Sequence, residues 1–306
     1  MSASGSTRAI MAALAANAGI AVAKFIGFLL THSSSMLAEA VHSVADTSNQ
    51  ALLLLGQRRA RREATSLHQF GYGRSRFFYS FVVALVLFTL GAVFALYEGY
   101  HKISHPEPLK SPLIAIAILL VAIGLETYSF RTAMVESKPL KGSGTWWQFI
   151  RRSRNPELPV VLLEDTGALL GLVFALFGVG LTILTGDAVW DGIGTMLIGA
   201  LLGVIAVILM VEMHSLLIGE SATGEELSAI QAALEGTDNV DRVIHLRTQY
   251  LGPEEMLVGA KIALAPSTDL ATVAAAIDNA EAAVRAAVPT VHLIYIEPDL
   301  DRSIAG

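Results

Sequence analysis

The stretch that decides the fold covers residues 33–56 and reads SSSMLAEAVHSVADTSNQALLLLG. Four of its polar side chains recur at helical spacing: Glu39, His42, Asp46 and Asn49. Residues three or four apart share one face of a helix, so these four form a polar stripe on an otherwise apolar helix. Ionisable groups in such a helix usually face the interior of a membrane bundle and mark an ion path. The stretch therefore predicts half of a divalent-metal site, with His42 and Asp46 one turn apart.

The composition of the whole chain indicates a membrane protein. Hydrophobic residues make up 53% of its 306 residues, and the mean hydropathy is +0.57, well above that of an ordinary soluble domain. The chain has no cysteine, which excludes disulfides and thiolate metal sites. A bound metal ion must therefore be held by imidazole, carboxylate, amide or water ligands.

Six apolar segments are each long enough to cross a bilayer, which takes about 20 residues. We predict spans at about residues 8–30, 34–55, 76–100, 111–134, 159–184 and 189–213. Six spans place both termini on one side of the membrane. The connections after the second and fourth spans are rich in Lys and Arg, whereas the three opposite connections contain only Lys102 and Lys110. The positive-inside rule then places both termini in the cytoplasm.

The last part of the chain differs in charge and in pattern. From Gly219 onward it carries fourteen acidic and five basic residues, whereas the part before Gly219 carries thirteen acidic and sixteen basic residues. Its helical and strand patterns follow the order α-β-β-α-β, which predicts a small ferredoxin-like α+β domain. We divide the chain into an all-α transmembrane domain, 1–215, and a cytoplasmic domain, 216–306. A basic patch for nucleic acid is missing from the sequence.

The other half of the metal site is expected on the fifth span. Its sequence PVVLLEDTGALLG places Glu164 and Asp165 side by side in an apolar run. Two unpaired carboxylates in lipid are costly, so we expect a cationic group to face at least one of them. Together with His42 and Asp46, Asp165 would give a ligand set that suits Zn²⁺, with Mn²⁺ or Fe²⁺ as alternatives.

At this point the sequence resembles the cation diffusion facilitator family of zinc transporters, and within it the branch of the animal mitochondrial zinc exporter. The likeness rests on six spans with a cytoplasmic tail, on His42 and Asp46 in the second span, and on HQFGYG at residues 68–73. The family usually has a His followed four residues later by an Asp on the fifth span. Asp165 matches the Asp, but Val161 stands at the His position.

The resemblance implies a proton-coupled exporter that moves Zn²⁺ out of the cytoplasm by alternating access, and no enzyme or resident cofactor. His42, Asp46 and Asp165 are the expected metal ligands. Glu164, one turn after Val161, is a candidate replacement for the missing His. Glu39 is assigned to a vestibule or proton pathway, and Asn49 to that pathway or to a tie between helices.

Three further expectations complete the sequence-based interpretation. The protein is expected to span the plasma membrane several times, in contact with the lipid bilayer. It is expected to form a homodimer through its tail, as the resemblance implies. Two alternatives remain open: an exporter of Mn²⁺ or Fe²⁺ with the same fold, and a membrane metal sensor or scaffold that binds without transport.

Overall fold

The computed structural model of the chain describes residues 2–31, 34–106 and 112–300, with the side chains of residues 2–4, 30–31, 34–42, 45 and 112 outside that description. The chain forms two compact units, one of Met1–Arg59 and Ser75–His214, the other of Ala60–Arg74 and Ser215–Gly306. The segment Ala60–Arg74, which contains HQFGYG, thus belongs with the tail. The sequence-based division into 1–215 and 216–306 did not include this arrangement and stays a prediction.

The first unit is helical. Its elements are α1 (Ser2–Thr31), α2 (Ser34–Ala60), α3 (Ser75–Val86), a π-helical segment (Leu87–Val93), α4 (Phe94–Ser104), α5 (Pro112–Lys141), α6 (Trp146–Arg152), α7 (Glu157–Thr185) and α8 (Val189–Ile218). The α3, π-helical and α4 segments form one continuous apolar stretch, Ser75–Ser104.

Among the described residues, five helical stretches are long and apolar enough to cross a membrane: Gly5–Leu29, Ser75–Ser104, Leu113–Lys141, Glu157–Thr185 and Val189–Ile218. Five of the six predicted spans are therefore found. The remaining one, α2, is a helix of 27 residues but is not among these five. Its polar stripe and its buried Gln50 and Gln57 lower its apolar character. That α2 crosses the membrane remains a prediction.

Helices in this unit pack closely against one another. Helix α5 packs against both α1 and α7. Helices α4 and α8 approach closely at glycines: a Cβ at Gly99 would lie 2.7 Å from the Met196 nitrogen, and one at Gly199 would lie 2.8 Å from the Leu96 nitrogen. Small residues allow membrane helices to pack backbone against backbone. The bundle is therefore tight at this crossing.

The tail follows the predicted order α-β-β-α-β, which the structure confirms with α9 (Gly224–Glu235), β1 (Arg242–Gly252), β2 (Glu255–Ala263), α10 (Leu270–Ala287) and β3 (Val291–Asp299). The sheet order is β1-β2-β3, with β1 antiparallel and β3 parallel to β2. Parallel neighbours need a crossover connection, and α10 supplies it. The two helices bury Ile230, Leu234 and Val284 in one core with Met256 and Val258 of β2.

The segment Ala60–Arg74 contacts the turn between β1 and β2 through its glycines. A Cβ at Gly73 would lie 2.8 Å from the carbonyl oxygen of Leu251, and a Cβ at Gly252 would lie 2.9 Å from the Cα of Gly73. Real Cβ atoms do not come this close to backbone atoms. Glycine at both positions is what allows the two backbones to touch.

Candidate functional site

Glu164 and Asp165 lie in the first half of α7, at a depth where neighbouring side chains are fully covered. Glu164 is 7% exposed and Asp165 is 1% exposed, and the nearby Val160 and Val161 are completely buried. A carboxyl group at such a position is stable only with polar partners from other helices. The adjacent helices α2 and α5 supply these partners.

The Glu164 carboxyl is held by two amide groups of α2. The side chain of Gln50 donates to Glu164 Oε2 at 2.7 Å, and the side chain of Asn49 donates to Glu164 Oε1 at 3.4 Å. Both amides are buried. Asn49 thus contacts α7, while its predicted role in a proton pathway or as a tie between helices stays a prediction, and Gln50 is a partner that the sequence analysis missed.

Asp165 is held from the other side by α5. The Ser129 hydroxyl donates to Asp165 Oδ2 at 2.7 Å, and both residues are buried. The cationic partner expected for Glu164 or Asp165 is not found among the described Lys and Arg side chains. Amide and hydroxyl donors take its place, because they satisfy the carboxyl oxygens without adding a second buried charge.

The polar stripe on α2 reaches the same region. Asp46 is half-buried and interacts electrostatically with Glu164. The side chains of Glu39 and His42 lie outside the described residues, although α2 includes both positions. The structure therefore brings together Asp46, Asn49, Glu164 and Asp165, and the functional roles of these four residues, like those of Glu39 and His42, remain predictions.

Glu126 on α5 is a buried acid that the sequence analysis missed. It is 4% exposed and interacts electrostatically with Asp165, Asp46 and Lys24. Glu126 precedes Ser129 by three residues and so shares the α5 face that contacts α7. The available signal was a single Glu in the long apolar run AIAILLVAIGLETYSF, residues 115–130. Such an acid within a span is a functional candidate by itself.

The carboxyl groups of α2, α5 and α7 form an acidic region at the junction of three helices. Within the described part of the chain, no three His, Asp or Glu side chains converge closely enough to hold one metal ion. Val161 offers no ligand atom. The region can attract a divalent cation electrostatically and can offer it oxygen ligands, as hard and borderline divalent ions require.

The fold and this region define a multi-helix membrane protein with a polar path and an α+β tail. The sequence profile of the cation efflux transmembrane domain matches residues 10–218, and the profile of the cation efflux protein cytoplasmic domain matches residues 222–299. The chain therefore belongs to the cation efflux family, which consists of metal transporters rather than enzymes. The sequence-based family assignment is confirmed.

Three curated relatives illustrate the likeness. The mitochondrial proton-coupled zinc antiporter SLC30A9 of Mus musculus is 34% identical over 251 residues, covering 81% of this chain and 44% of that protein. Its Xenopus laevis counterpart is 36% identical over 72% of this chain and 40% of that protein. Metal tolerance protein C4 of Arabidopsis thaliana is 30% identical over 84% of this chain and 57% of that protein. The chain thus spans about half the length of these relatives.

The solved C-terminal domain of MamM is 22% identical and covers 25% of this chain and 92% of its own length, with a TM-score of 0.24.

The predicted plasma-membrane location is wrong in the light of the curated relatives. The two antiporters are named as mitochondrial proteins. A bias of Lys and Arg between loops reports orientation in a membrane, and it carries no information about which membrane the protein occupies.

Proposed function

We propose that the chain is a proton-coupled exporter of divalent cations, with Zn²⁺ as its cargo, which it moves across its membrane by alternating access. The observation that carries this proposal is the buried pair Glu164 and Asp165 on an apolar helix, with Glu164 interacting electrostatically with Asp46 of α2. Buried carboxyl groups inside a membrane bundle are typical of an ion path. The names of the antiporter relatives, which are proton-coupled zinc antiporters, support zinc and proton coupling.

In this proposal the cation binds His42, Asp46 and Asp165, with Glu164 or water completing its shell. Metal ligands must give up their protons before they bind, so the cation and protons compete for the same groups. An imidazole exchanges protons near neutral pH, which suits His42 to this exchange. Rocking of the helix bundle then exposes the loaded site to the opposite side, where protons displace the cation.

Ser129 and the two amides of α2 have a positioning role in this mechanism. Ser129 orients Asp165 by donating to Oδ2, and Asn49 and Gln50 orient Glu164. Hydrogen bonds of this kind hold metal ligands in place and raise affinity. The mechanism involves no covalent step and no resident cofactor.

Mn²⁺ is a second candidate cargo. The described side chains at the helix junction that could ligate a cation through an ionisable group are carboxylates, and Val161 stands where the family usually has a His. A site rich in oxygen ligands suits Mn²⁺ or Fe²⁺ better than a site with two imidazoles does. For the tail, we propose homodimerisation, supported by the match to the family's cytoplasmic domain.

Flux measurements test the proposal. The full chain is reconstituted in liposomes under an imposed pH gradient, and the transport of Zn²⁺ and Mn²⁺ is followed in parallel. We expect Zn²⁺ flux that depends on the gradient and is abolished by Asp46→Ala and by Asp165→Ala. Asp187→Ala is the matched control, since Asp187 lies in an exposed turn. Full Zn²⁺ flux in Asp46→Ala would refute the assigned site. Cation binding without flux would refute the proposal that the chain is a transporter.

A further inference from the structure

The contact between α2 and α7 leaves two buried oxygen atoms without partners. Asn49 is 1% exposed and Gln50 is 0% exposed, and their amide nitrogens donate to Glu164. Their amide oxygens, Asn49 Oδ1 and Gln50 Oε1, accept no hydrogen bond from any described residue. A buried acceptor without a donor is costly, so these two oxygens require an explanation.

The geometry at Glu164 offers an explanation for the two unpaired amide oxygens. The oxygen and nitrogen of a terminal amide have nearly the same shape, so a half-turn of the amide exchanges an N–H donor for an oxygen acceptor. With the nitrogens facing Glu164, the carboxylate is satisfied by hydrogen bonds. With the oxygens turned toward it, the two amides and Glu164 would present a group of oxygen ligands at one point.

That group matches a divalent cation in its chemistry. Carboxylate and amide oxygens are the ligands of hard cations, and a set without imidazole or thiolate narrows the advantage that Zn²⁺ has over Mn²⁺. Asp46 and Asp165 interact electrostatically with Glu164 and add negative charge around the same position. A bound cation would balance the negative charge of Glu164, which the amide N–H groups stabilise only in part by hydrogen bonding.

We propose that Asn49, Gln50 and Glu164 form an oxygen-only station for a divalent cation beside the His42, Asp46 and Asp165 site, and that the two amides rotate when the cation arrives. The inference rests on the proposed function, because the cation is the transported cargo. It gives Glu164 a ligand role that does not depend on replacing a histidine at Val161. It also predicts that the station discriminates less strongly against Mn²⁺, relative to Zn²⁺, than the site that contains His42.

A structural tie between α2 and α7 would use the same hydrogen bonds, and Gln50→Glu separates the two roles. This change keeps the oxygens and removes the N–H donors. If the native residues only tie the two helices, Gln50→Glu would place two carboxylates next to each other and do nothing else. If they form the station, Gln50→Glu would add a charged ligand for the cation. Gln57→Glu is the matched control, since Gln57 is buried on the same helix and its amide bonds to Ser6 and Thr7 of α1.

The experiment measures thermal stability and cation affinity of the purified full chain in detergent, with MnCl₂, ZnCl₂ and MgCl₂ in turn. We expect Gln50→Glu to have a lower Tm without cations, a larger Mn²⁺-induced rise in Tm, and on the order of tenfold tighter Mn²⁺ binding, because affinity grows with the number of charged ligands. Gln57→Glu should respond to cations as the wild type does. Equal cation-induced shifts in the two variants would overturn the station.

A second pair of variants keeps the test decisive if Gln50→Glu does not fold. Gln50→Leu should weaken Mn²⁺ binding roughly tenfold and Zn²⁺ binding less, whereas Gln57→Leu should change neither. Unchanged Mn²⁺ affinity in Gln50→Leu would overturn the station. If the wild type shows Zn²⁺ flux that Asp46→Ala abolishes, the proposed function stands regardless of that result. If the Gln50 variants change cation affinity but the wild type shows no flux, the proposed function would be overturned instead.

Discussion

Arg76 and Glu157 form a buried, bidentate ion pair that joins the first turn of α3 to the first turn of α7. Arg76 Nε lies 2.5 Å from Glu157 Oε1, and Arg76 Nη2 lies 2.8 Å from Glu157 Oε2. Their side chains are 8% and 1% exposed. The helix that carries Glu164 and Asp165 is therefore fixed at its start by a charged contact with the neighbouring helix.

Replacing Arg76 by Ala should destabilise the protein strongly. The change leaves the Glu157 carboxylate buried without its partner, which costs roughly 3–5 kcal/mol in folded proteins. The midpoint of thermal unfolding in detergent measures the effect. Arg8→Ala is the control, because the Arg8–Glu136 pair spans 3.7 Å and the Arg8 side chain is 75% exposed. That variant should lose less than about 1 kcal/mol.

A double variant checks the cause. Arg76→Met combined with Glu157→Leu removes both charges and keeps apolar volume, so it should recover most of the stability lost in Arg76→Ala. Equal instability of the double variant and Arg76→Ala would show that the ion pair is not the source of the loss.

Gly73→Ala should disrupt the contact between the segment Ala60–Arg74 and the tail. The added methyl would lie 2.8 Å from the Leu251 carbonyl oxygen, so one of the two backbones must move. Overpacking of this kind costs about 1–3 kcal/mol. Hydrogen exchange should increase in peptides that cover the turn between β1 and β2. Gly259→Ala is the control, since a Cβ there meets nothing within 4 Å. Equal exchange in both variants would contradict the contact.

The start of α10 should respond to acid through Asp269. The backbone N–H of Thr272 donates to Asp269 Oδ1 at 3.0 Å, and hydrogen bonds from Thr272 hold the pKa of Asp269 below its ordinary value of 3.8. Because its pKa is lowered, the Asp269 carboxylate stabilises the start of α10 fully above pH 3.8. This stabilisation is lost as the pH falls through the lowered pKa. The effect is modest because the group is exposed to solvent.

Asp269→Asn isolates this pH dependence, because Asn caps a helix about as well but carries no charge. Hydrogen exchange at the first turn of α10 should slow in the wild type relative to the variant as the pH rises from below 3.8 to above it. Comparing the two proteins at the same pH cancels the intrinsic exchange rate. A pH-independent ratio of exchange rates would refute the role of the Asp269 carboxylate.

The sequence predicts this fold well where patterns are local. Long apolar runs indicate spans whatever their neighbours are, and five of six appear among the described helices. Alternation and turn residues indicate the strands of the tail: Gly252 is the last residue of β1, and Pro253 follows it in the turn to β2. The adjacent carboxylates of the fifth span, Glu164 and Asp165, could be recognised as site candidates from the sequence, because an apolar helix does not require charged residues for its own stability.

Contacts between distant elements could not be obtained in the same way. The bonds of Gln50 to Glu164 and of Ser129 to Asp165 join residues 114 and 36 positions apart. They depend on how each helix is rotated about its axis, which hydropathy does not encode. Likewise, no charge or hydropathy pattern shows that residues 60–74 belong with the tail, since that contact is made by glycine backbones.

The last prediction concerns Ser129. Ser129→Ala removes the donor that holds Asp165 Oδ2 and leaves that oxygen unpaired in a buried position. Loss of such a positioning hydrogen bond typically weakens metal affinity 10–100-fold. We expect a loss of about tenfold in Zn²⁺ affinity and a matching rise in the cation concentration needed for half-maximal flux. Ser137→Ala is the matched control, because Ser137 lies on the same helix, is fully buried, and has a hydroxyl without a described partner. Ser129→Thr keeps the hydroxyl and should restore affinity if the added methyl fits. Wild-type Zn²⁺ affinity in Ser129→Ala, or an equal loss in Ser137→Ala, would show that Asp165 does not need this hydroxyl to hold the cation.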